Sequence, residues 1–81
     1  IEALREALEA GADIIMLDNM DVDQMRQAMD IAKGKAIVEA SGGINLETVR
    51  SVAETGVDLI SIGGLTHSTS ALDISLDLEF S

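Results

Sequence analysis

The chain has 81 residues, 47% of them apolar and 25% charged, and its 15 acidic against 5 basic side chains give a formal net charge of −10. This acidic balance argues against a nucleic-acid partner, because phosphate backbones are bound by clusters of Lys and Arg. The longest apolar run, residues 14–17, is too short to span a bilayer, and without Cys the chain has no disulfide or thiolate metal site. A cytoplasmic protein without membrane association is expected.

The first half of the chain predicts helix, strand and helix. Apolar residues recur at helical spacing from Ile1 onward, and Gly11 is expected to end this helix. Residues 13–17 form a short apolar run that predicts a buried strand. Asp21 is expected to cap a second helix, with Gln24 in position to complete a capping box. The apolar stripe of that helix contains Met25, Ala28, Met29 and Ala32.

The second half predicts two further strands around a third helix. Residues 36–40 are expected to form a strand, Asn45 to cap the third helix, and Gly56 to end it. The inner face of that helix is expected to contain Leu46, Val49 and Ala53. Residues 58–62 predict the next strand. A polar stretch follows, and then residues 71–80, which are compatible with either helix or strand.

The resulting order, αβαβαβ with strands buried on both faces, is typical of parallel strands joined by helical crossovers. An internal repeat supports it, because residues 9–15 resemble residues 54–60. Recurrence of a helix–strand pair favours a (βα) barrel over a doubly wound sheet. Three strands cannot close a barrel, and a chain this short would bury only about 60–65% of its unfolded surface. The predicted fold is therefore α/β, a sector of an open parallel (βα) barrel that belongs to a larger protein.

Alternation along the predicted strands gives one mixed and one apolar face. The mixed face, expected to point into the barrel, contains Met16, Asp18, Glu39, Ser41, Ser61 and Gly63. The apolar face, expected to pack on the helices, contains Ile15, Leu17, Ala36, Val38, Ala40, Ile60 and Ile62. Glu39 would then be an interior carboxylate that needs a cation. Because none of the five basic residues lies on a predicted strand, its Lys or Arg partner is expected outside this chain.

The active site of a (βα) barrel lies at the C-terminal ends of its strands. There the segment 41–43, Ser-Gly-Gly, suits a phosphate, because glycines let backbone N–H groups approach an anion and the Asn45-capped helix would point its N-terminus nearby. Gly63 and Gly64, at the next strand end, would supply the second half of the cradle. Alternatively, these glycines serve only tight strand-to-helix turns.

Two other residues at these ends allow two interpretations each. Asp18 is either a site carboxylate or part of an Asx-type turn, and His67 is either a site residue or a hydrogen-bonded loop residue. No His pair or carboxylate cluster has the spacing of a zinc site, so no fixed metal is expected.

Several segments resemble the quinolinate phosphoribosyltransferase family. They are residues 10–19 (AGADIIMLDN), 39–44 (EASGGI), 54–58 (ETGVD), 63–68 (GGLTHS) and 72–77 (LDISLD). The motifs stand in the family's order and resemble only the C-terminal part of that enzyme. Residues 1–81 are thus expected to be the C-terminal portion of its barrel domain, a type II phosphoribosyltransferase barrel, with the N-terminal sandwich domain and the earlier barrel strands absent.

The resemblance implies the activity of a nicotinate-nucleotide diphosphorylase (carboxylating), a pentosyltransferase of NAD biosynthesis. Its substrates would be quinolinate and phosphoribosyl pyrophosphate, and its products nicotinate mononucleotide, pyrophosphate and CO₂. It also implies Mg²⁺ as a cofactor that arrives with phosphoribosyl pyrophosphate, expected near Asp18, and a homo-oligomer that is a dimer or a dimer of dimers.

The resemblance implies a catalytic role for Asp18, which would contact the ribose hydroxyls or the Mg²⁺-bound pyrophosphate. With Asp18 and Glu39, the expected substrate-binding residues are Ser41, Gly42, Gly43, Ile62, Gly63, Gly64 and His67. The family more often has Ala at position 64, where Gly keeps the same backbone N–H.

The cations that a quinolinate dianion requires are not expected in this chain. All five basic residues fall on predicted helices or helix ends: Arg5, Arg26, Lys33, Lys35 and Arg50. The fragment alone is therefore expected to be inactive. Two alternatives remain: a related phosphoribosyltransferase-like protein of molybdate transport operons, which would not need the cationic cluster, and a non-catalytic half-barrel that self-associates through its exposed strand edges.

Overall fold

The computed structural model describes residues 2–45 and 47–71, and the predictions for Ile1, Leu46 and residues 72–81 lie outside that part of the chain. The elements follow in the order α1 (Glu2–Glu9), β1 (Ile14–Asp18), α2 (Val22–Ala32), β2 (Ile37–Ser41), α3 (Val49–Glu54), β3 (Leu59–Ile62) and β4 (Leu65–Ser68). The predicted alternation of helix and strand is confirmed as far as β3, and each of β1, β2 and β3 begins one residue later than expected.

Local sequence signals determine the start of α2. The Asp21 carboxylate accepts a hydrogen bond from the Gln24 backbone N–H at 2.8 Å, and the Gln24 side chain accepts one from the Asp21 backbone N–H at 3.0 Å. This confirms the predicted capping box, which satisfies two N–H groups that would otherwise lack helical partners. The predicted apolar stripe is buried throughout: Met25, Ala28, Met29 and Ala32.

The third helix is shorter than the pattern predicts. It begins at Val49 rather than just after Asn45. The Asn45 side chain accepts hydrogen bonds from the backbone N–H groups of Glu47 at 2.9 Å and Thr48 at 3.1 Å, and so closes a turn that precedes the helix. The buried residues of α3 are Val49 and Val52, with Ala53 half-buried. Ala53 packs against the core as predicted, and the inner face also contains Val52, which the sequence interpretation omits.

The strands form one sheet in the order β1-β2-β3-β4, with β1, β2 and β3 parallel. Leu4 of α1, Met25 of α2 and Val49 of α3 belong to one hydrophobic cluster with Ile15 and Val38 of the sheet. All three helices therefore pack on the same face. Consecutive parallel strands with helices on one face follow the plan of a (βα) barrel, whereas a doubly wound sheet has helices on both faces. The predicted α/β class is confirmed.

The polar stretch after β3 is a fourth strand, which the sequence pattern does not predict. It pairs antiparallel with β3, and Gly63 and Gly64 form the two-residue connection. Both glycines have positive φ, +59° and +83°, as a type I′ hairpin turn requires at its two central positions. The expected strand-to-helix turn at this point is corrected to a strand-to-strand turn.

The two faces of the sheet differ as the alternation predicts. On the helix face, the side chains of Leu17, Val38 and Ile60 are 0–2% exposed. On the opposite face Ile14 is 58% exposed and Met16 is 61% exposed. Within residues 2–45 and 47–71 this second face has no covering layer, as expected for the interior face of a barrel sector. No helix in this part of the chain is long and apolar enough to cross a membrane.

The internal repeat corresponds to a repeated structure. Gly11 and Gly56 occupy equivalent positions after α1 and α3, and both have positive φ, +84° and +93°. In the second copy, Asp58 forms two bonds with Val38 of β2. Its backbone N–H donates to the Val38 carbonyl, and its carboxylate accepts from the Val38 N–H, both at 2.9 Å. Asp58 thus joins the starts of β2 and β3 through a side chain as well as the backbone.

We expect Asp58→Ala to lower the free energy of unfolding by about 1–2 kcal/mol, because the N–H of the fully buried Val38 loses its side-chain acceptor. Urea denaturation measures the effect. The matched control is Asp13→Ala, at the equivalent position of the first repeat copy. Both residues are exposed, but among the described residues only the Asp58 carboxylate bonds to a strand N–H, so a change within about 0.5 kcal/mol is expected for Asp13→Ala. Equal losses for the two variants would contradict the role given to Asp58.

Candidate functional site

The C-terminal ends of β1, β2 and β3 lie side by side along one edge of the sheet. Asp18, the last residue of β1, is paired in register with Ser41, the last residue of β2. Ala40 is paired with Ile60, so the ends of β2 and β3 also lie level. Parallel pairing therefore brings together the three segments that the sequence singles out, and we call this edge, with the loops that follow it, the rim.

Asp18 is in close contact with the segment that follows β2. The Ser41 hydroxyl donates a weak hydrogen bond to the Asp18 carboxylate at 3.5 Å. A Cβ atom added at Gly42 would lie 2.5 Å from the same carboxylate oxygen and 3.0 Å from the Asn19 backbone nitrogen. A side chain at position 42 would thus displace the Asp18 carboxylate from its present position. The φ of +84° independently favours glycine there.

Asn19 connects the two strand ends beyond the last pair of the β1–β2 ladder. Its backbone N–H donates to the Ser41 carbonyl at 2.9 Å. It also has a φ of +57°, and among the described residues it is the one non-glycine with positive φ. The sequence interpretation includes Asp18 but omits Asn19. The Asp-Asn pair is a turn signal, yet its bonding partner, 22 residues away, is not readable from the sequence.

The segment 41–43 is open to solvent and its backbone is accessible. Gly42 and Gly43 are exposed, and both have positive φ, +84° and +69°. Consecutive N–H groups in such a turn can converge on an anion. The expected help from a helix N-terminus is not supported, because α3 starts only at Val49 and the Asn45 side chain already accepts from the N–H groups before it. The predicted phosphate binding therefore depends on the glycine turn and the Ser41 hydroxyl.

Glu39 lies on the face of the sheet away from the helices. It is half-buried, and its register neighbours are Met16 on β1 and Leu59 on β3. The chain's basic residues are all exposed, and they lie in helices or in the turn after α2: Arg5, Arg26, Lys33, Lys35 and Arg50. The expectation that no cation of this chain belongs to a strand is therefore confirmed, and both carboxylates of the site face a surface without one.

The hairpin separates the remaining predicted site residues. Gly63 and Gly64 stand at the rim, directly after Ile62. His67 does not reach the face that carries Glu39, because it is paired with Ile60, a fully buried residue of the helix face. Thr66 is paired with Ser61 and shares the Glu39 face instead. Since the sequence interpretation does not predict β4, it also misses Thr66.

The rim is an open surface rather than a closed pocket. Three open clefts of about 320–390 Å³ each are lined by other residues, such as Leu4, Ile15 and Met20 between α1 and β1. Within residues 2–45 and 47–71 no group of three His, Cys, Asp or Glu side chains converges to hold a metal ion. The site has one exposed strand-end carboxylate, Asp18, and a glycine loop beside it.

The chain is similar to known proteins over nearly its whole length. The family model described as quinolinate phosphoribosyl transferase, C-terminal domain, matches residues 1–77. A probable nicotinate-nucleotide pyrophosphorylase (carboxylating) of Bacillus subtilis is 49% identical over 80 residues, which are 99% of this chain and 28% of that protein. A mitochondrial quinolinate phosphoribosyltransferase (decarboxylating) of Nicotiana glauca is 43% identical over 94 residues, 98% of this chain and 27% of that protein.

A solved structure agrees with this similarity. The crystal structure of nicotinate-nucleotide pyrophosphorylase from Ehrlichia chaffeensis superposes with a TM-score of 0.73 and 45% sequence identity, over 76% of this chain and 23% of that one. The chain thus spans little more than a quarter of the length of the relatives it matches.

Proposed function

The chain belongs to the quinolinate phosphoribosyl transferase family, and from this we propose that it supplies part of the active site of an enzyme that transfers a phosphoribosyl group to quinolinate. Below, the whole enzyme means a chain of the relatives' full length that contains these 81 residues. In the proposed reaction, the C1–O bond of phosphoribosyl pyrophosphate breaks, with its electron pair leaving on the released pyrophosphate, as the quinolinate nitrogen bonds to C1. Loss of one carboxyl group as CO₂, with protonation of the ring carbon, then gives nicotinate mononucleotide.

One observation carries this proposal for the residues at hand: Asp18 stands directly beside the Ser41–Gly43 loop at the ends of two paired parallel strands. A loop of exposed N–H groups suits the 5′-phosphate of the substrate. A carboxylate beside it suits the ribose, because positive charge develops at C1 as pyrophosphate leaves. Binding the phosphate in a fixed place would orient C1 toward its nucleophile.

The other predicted site residues have different support. Ile62, Gly63 and Gly64 stand at the adjacent strand end, and both glycines are exposed in the hairpin turn. Glu39 lies on the site's face of the sheet, and we propose that it pairs with a cation from outside this stretch. For His67, whose strand pairing places it on the opposite face, substrate binding stays a prediction supported by the family motif alone.

The residues present fit Mg²⁺ as an ion that arrives with phosphoribosyl pyrophosphate. Mg²⁺ commonly binds through one or two carboxylates together with substrate phosphates and keeps several waters. Asp18 is exposed and is the one carboxylate at the end of β1, β2 or β3 among the described residues. When bound, the ion would neutralise the pyrophosphate as it leaves, and Asp18 would hold it or its waters. We further propose a cytoplasmic location in a bacterial source and a dimer, or dimer of dimers, as the working assembly.

The proposed reaction is tested by its products. Incubation of the whole enzyme with quinolinate, phosphoribosyl pyrophosphate and Mg²⁺ is expected to give nicotinate mononucleotide, pyrophosphate and CO₂ in equal amounts, measured by chromatography and CO₂ release. Omission of quinolinate is the control. A whole enzyme that cleaves phosphoribosyl pyrophosphate but forms no nicotinate mononucleotide would contradict quinolinate as the acceptor and favour the molybdate-operon relative.

The 81-residue chain by itself is expected to show no turnover, because none of its five basic residues lies at the C-terminal strand ends, where the quinolinate carboxylates would bind. The same product assay on the isolated chain checks this, with the whole enzyme as the positive control. Nicotinate mononucleotide formed by the isolated chain would show that the dicarboxylate site does not depend on residues elsewhere.

A further inference from the structure

The strongest feature that the proposed function leaves unexplained is the backbone conformation of Asn19. A φ of +57° is rare for a residue with a Cβ atom, and Asn tolerates it better than most. Such outliers cluster at functional sites, where the surrounding structure holds them in place. Asn19 follows directly after Asp18, so its conformation determines how the chain leaves β1.

A backbone hydrogen bond at Asn19 extends the contact between the two strand ends. The β1–β2 ladder ends at the pair Asp18 and Ser41. One residue further, the Asn19 N–H donates to the Ser41 carbonyl at 2.9 Å, and the left-handed φ of Asn19 turns the chain away from β1 directly after this bond. The bond therefore fixes the carbonyl of the residue whose hydroxyl reaches the Asp18 carboxylate.

The glycine loop is shaped around the same residue. A Cβ at Gly42 would lie 3.0 Å from the Asn19 nitrogen, and a Cβ at Gly43 would lie 3.7 Å from the Asn19 side-chain oxygen. The backbone of Asn19 is thus packed against the first glycine, and its carboxamide lies beside the second. Any shift of Asn19 would change the distance between Asp18 and the loop.

We propose that Asn19 is a positioning residue, whose left-handed backbone fixes the spacing between the Asp18 carboxylate and the Ser41–Gly43 loop so that both contact one phosphorylated sugar. The identity of that sugar rests on the proposed function, whereas the positioning does not. The essential property is the backbone conformation and its N–H bond, not the carboxamide group.

Three variants of the whole enzyme separate these properties. Asn19→Gly keeps access to positive φ and removes the side chain, whereas Asn19→Ala keeps a Cβ but disfavours positive φ. Gly34→Ala is the matched control, since Gly34 has a φ of +77° in the turn after α2 with no atom within 4 Å of an added Cβ. It introduces the same backbone strain away from the rim.

We expect Asn19→Ala to raise the KM for phosphoribosyl pyrophosphate about tenfold, with a smaller effect on the KM for quinolinate. Asn19→Gly should stay within about twofold of the parent, since every bond assigned to Asn19 is made by its backbone. Gly34→Ala should lower the thermal unfolding midpoint without changing either KM. A KM raised equally by Asn19→Gly and Asn19→Ala would overturn the proposal in favour of direct binding by the carboxamide.

Amide hydrogen exchange of residues 41–43 gives a readout that does not depend on the reaction. Asn19→Ala should accelerate exchange there, while Asn19→Gly and Gly34→Ala should not. Unchanged exchange and unchanged KM in Asn19→Ala would overturn the positioning role. If the parent forms no nicotinate mononucleotide but the exchange pattern appears as expected, the proposed function fails and the positioning role stands.

Discussion

Asp18→Asn is expected to lower kcat/KM of the whole enzyme for phosphoribosyl pyrophosphate about a hundredfold or more, with the free energy of unfolding changed by no more than about 0.5 kcal/mol. The substitution keeps the shape of the side chain and an oxygen for the Ser41 hydroxyl, 3.5 Å away. It removes only the negative charge. Because the side chain is exposed, the folded state gains little from that charge, whereas a cationic transition state beside it would lose its stabilisation.

Steady-state kinetics and urea denaturation measured on the same preparation check this result. Asp13→Asn serves as the matched control, because this exposed carboxylate precedes the opposite end of β1. It should leave both quantities unchanged. A loss of stability in Asp18→Asn as large as its loss of activity would show that Asp18 acts as a turn residue, the alternative that the sequence leaves open.

Gly42→Val is expected to raise the KM for phosphoribosyl pyrophosphate at least tenfold while leaving quinolinate binding largely intact. Two effects act together. The Cβ would lie 2.5 Å from the Asp18 carboxylate oxygen, and a β-branched residue is strained at a φ of +84°. Either the carboxylate or the loop must move, and each is assigned to the same substrate. Initial-rate kinetics with each substrate varied in turn measure the two constants.

Gly34→Val separates the two effects for this prediction. Gly34 has a similar φ of +77° but open space around an added Cβ, so this variant introduces the strain without the collision. It should be destabilised by about 1–3 kcal/mol with unchanged kinetics. If Gly42→Val retained the parent's affinity for phosphoribosyl pyrophosphate, the loop would not be the phosphate site, and its glycines would only form a tight turn.

The features that could be predicted from the sequence are those with local causes. The capping box needs only Asp21 and Gln24, three residues apart, and the buried stripe of α2 follows from helical spacing. Gly11 and Gly56 end their helices for the same conformational reason in both copies of the repeat. The alternation of Glu39 with apolar neighbours likewise determines its face of the sheet.

The features that escaped prediction depend on partners distant in sequence or on weak patterns. β4 contains Leu65, 66% exposed, and three polar residues, so it lacks the burial that marks a strand, and its pairing depends on the hairpin turn. A Gly-Gly pair between two strands is typical of a hairpin turn, but the sequence interpretation considers only a phosphate cradle or a strand-to-helix turn at Gly63 and Gly64. The face of His67 follows from antiparallel register with β3 and could not be assigned without knowing that β4 exists.

All five basic residues lie in the helices or in the turn after α2, whereas Asp18 and Glu39 lie on the other side of the sheet. This distribution of charge affects the rate at which an anionic substrate is captured. A polyanion that diffuses toward these strand ends meets repulsion rather than attraction, so long-range steering of the proposed substrate would have to come from charges outside this stretch. Neutralising Arg5, Arg26 or Arg50 should therefore leave the association rate, and its change with ionic strength, as they are in the parent protein. In the proposed site this stretch would contact the anion only at short range, after charges elsewhere have drawn it in.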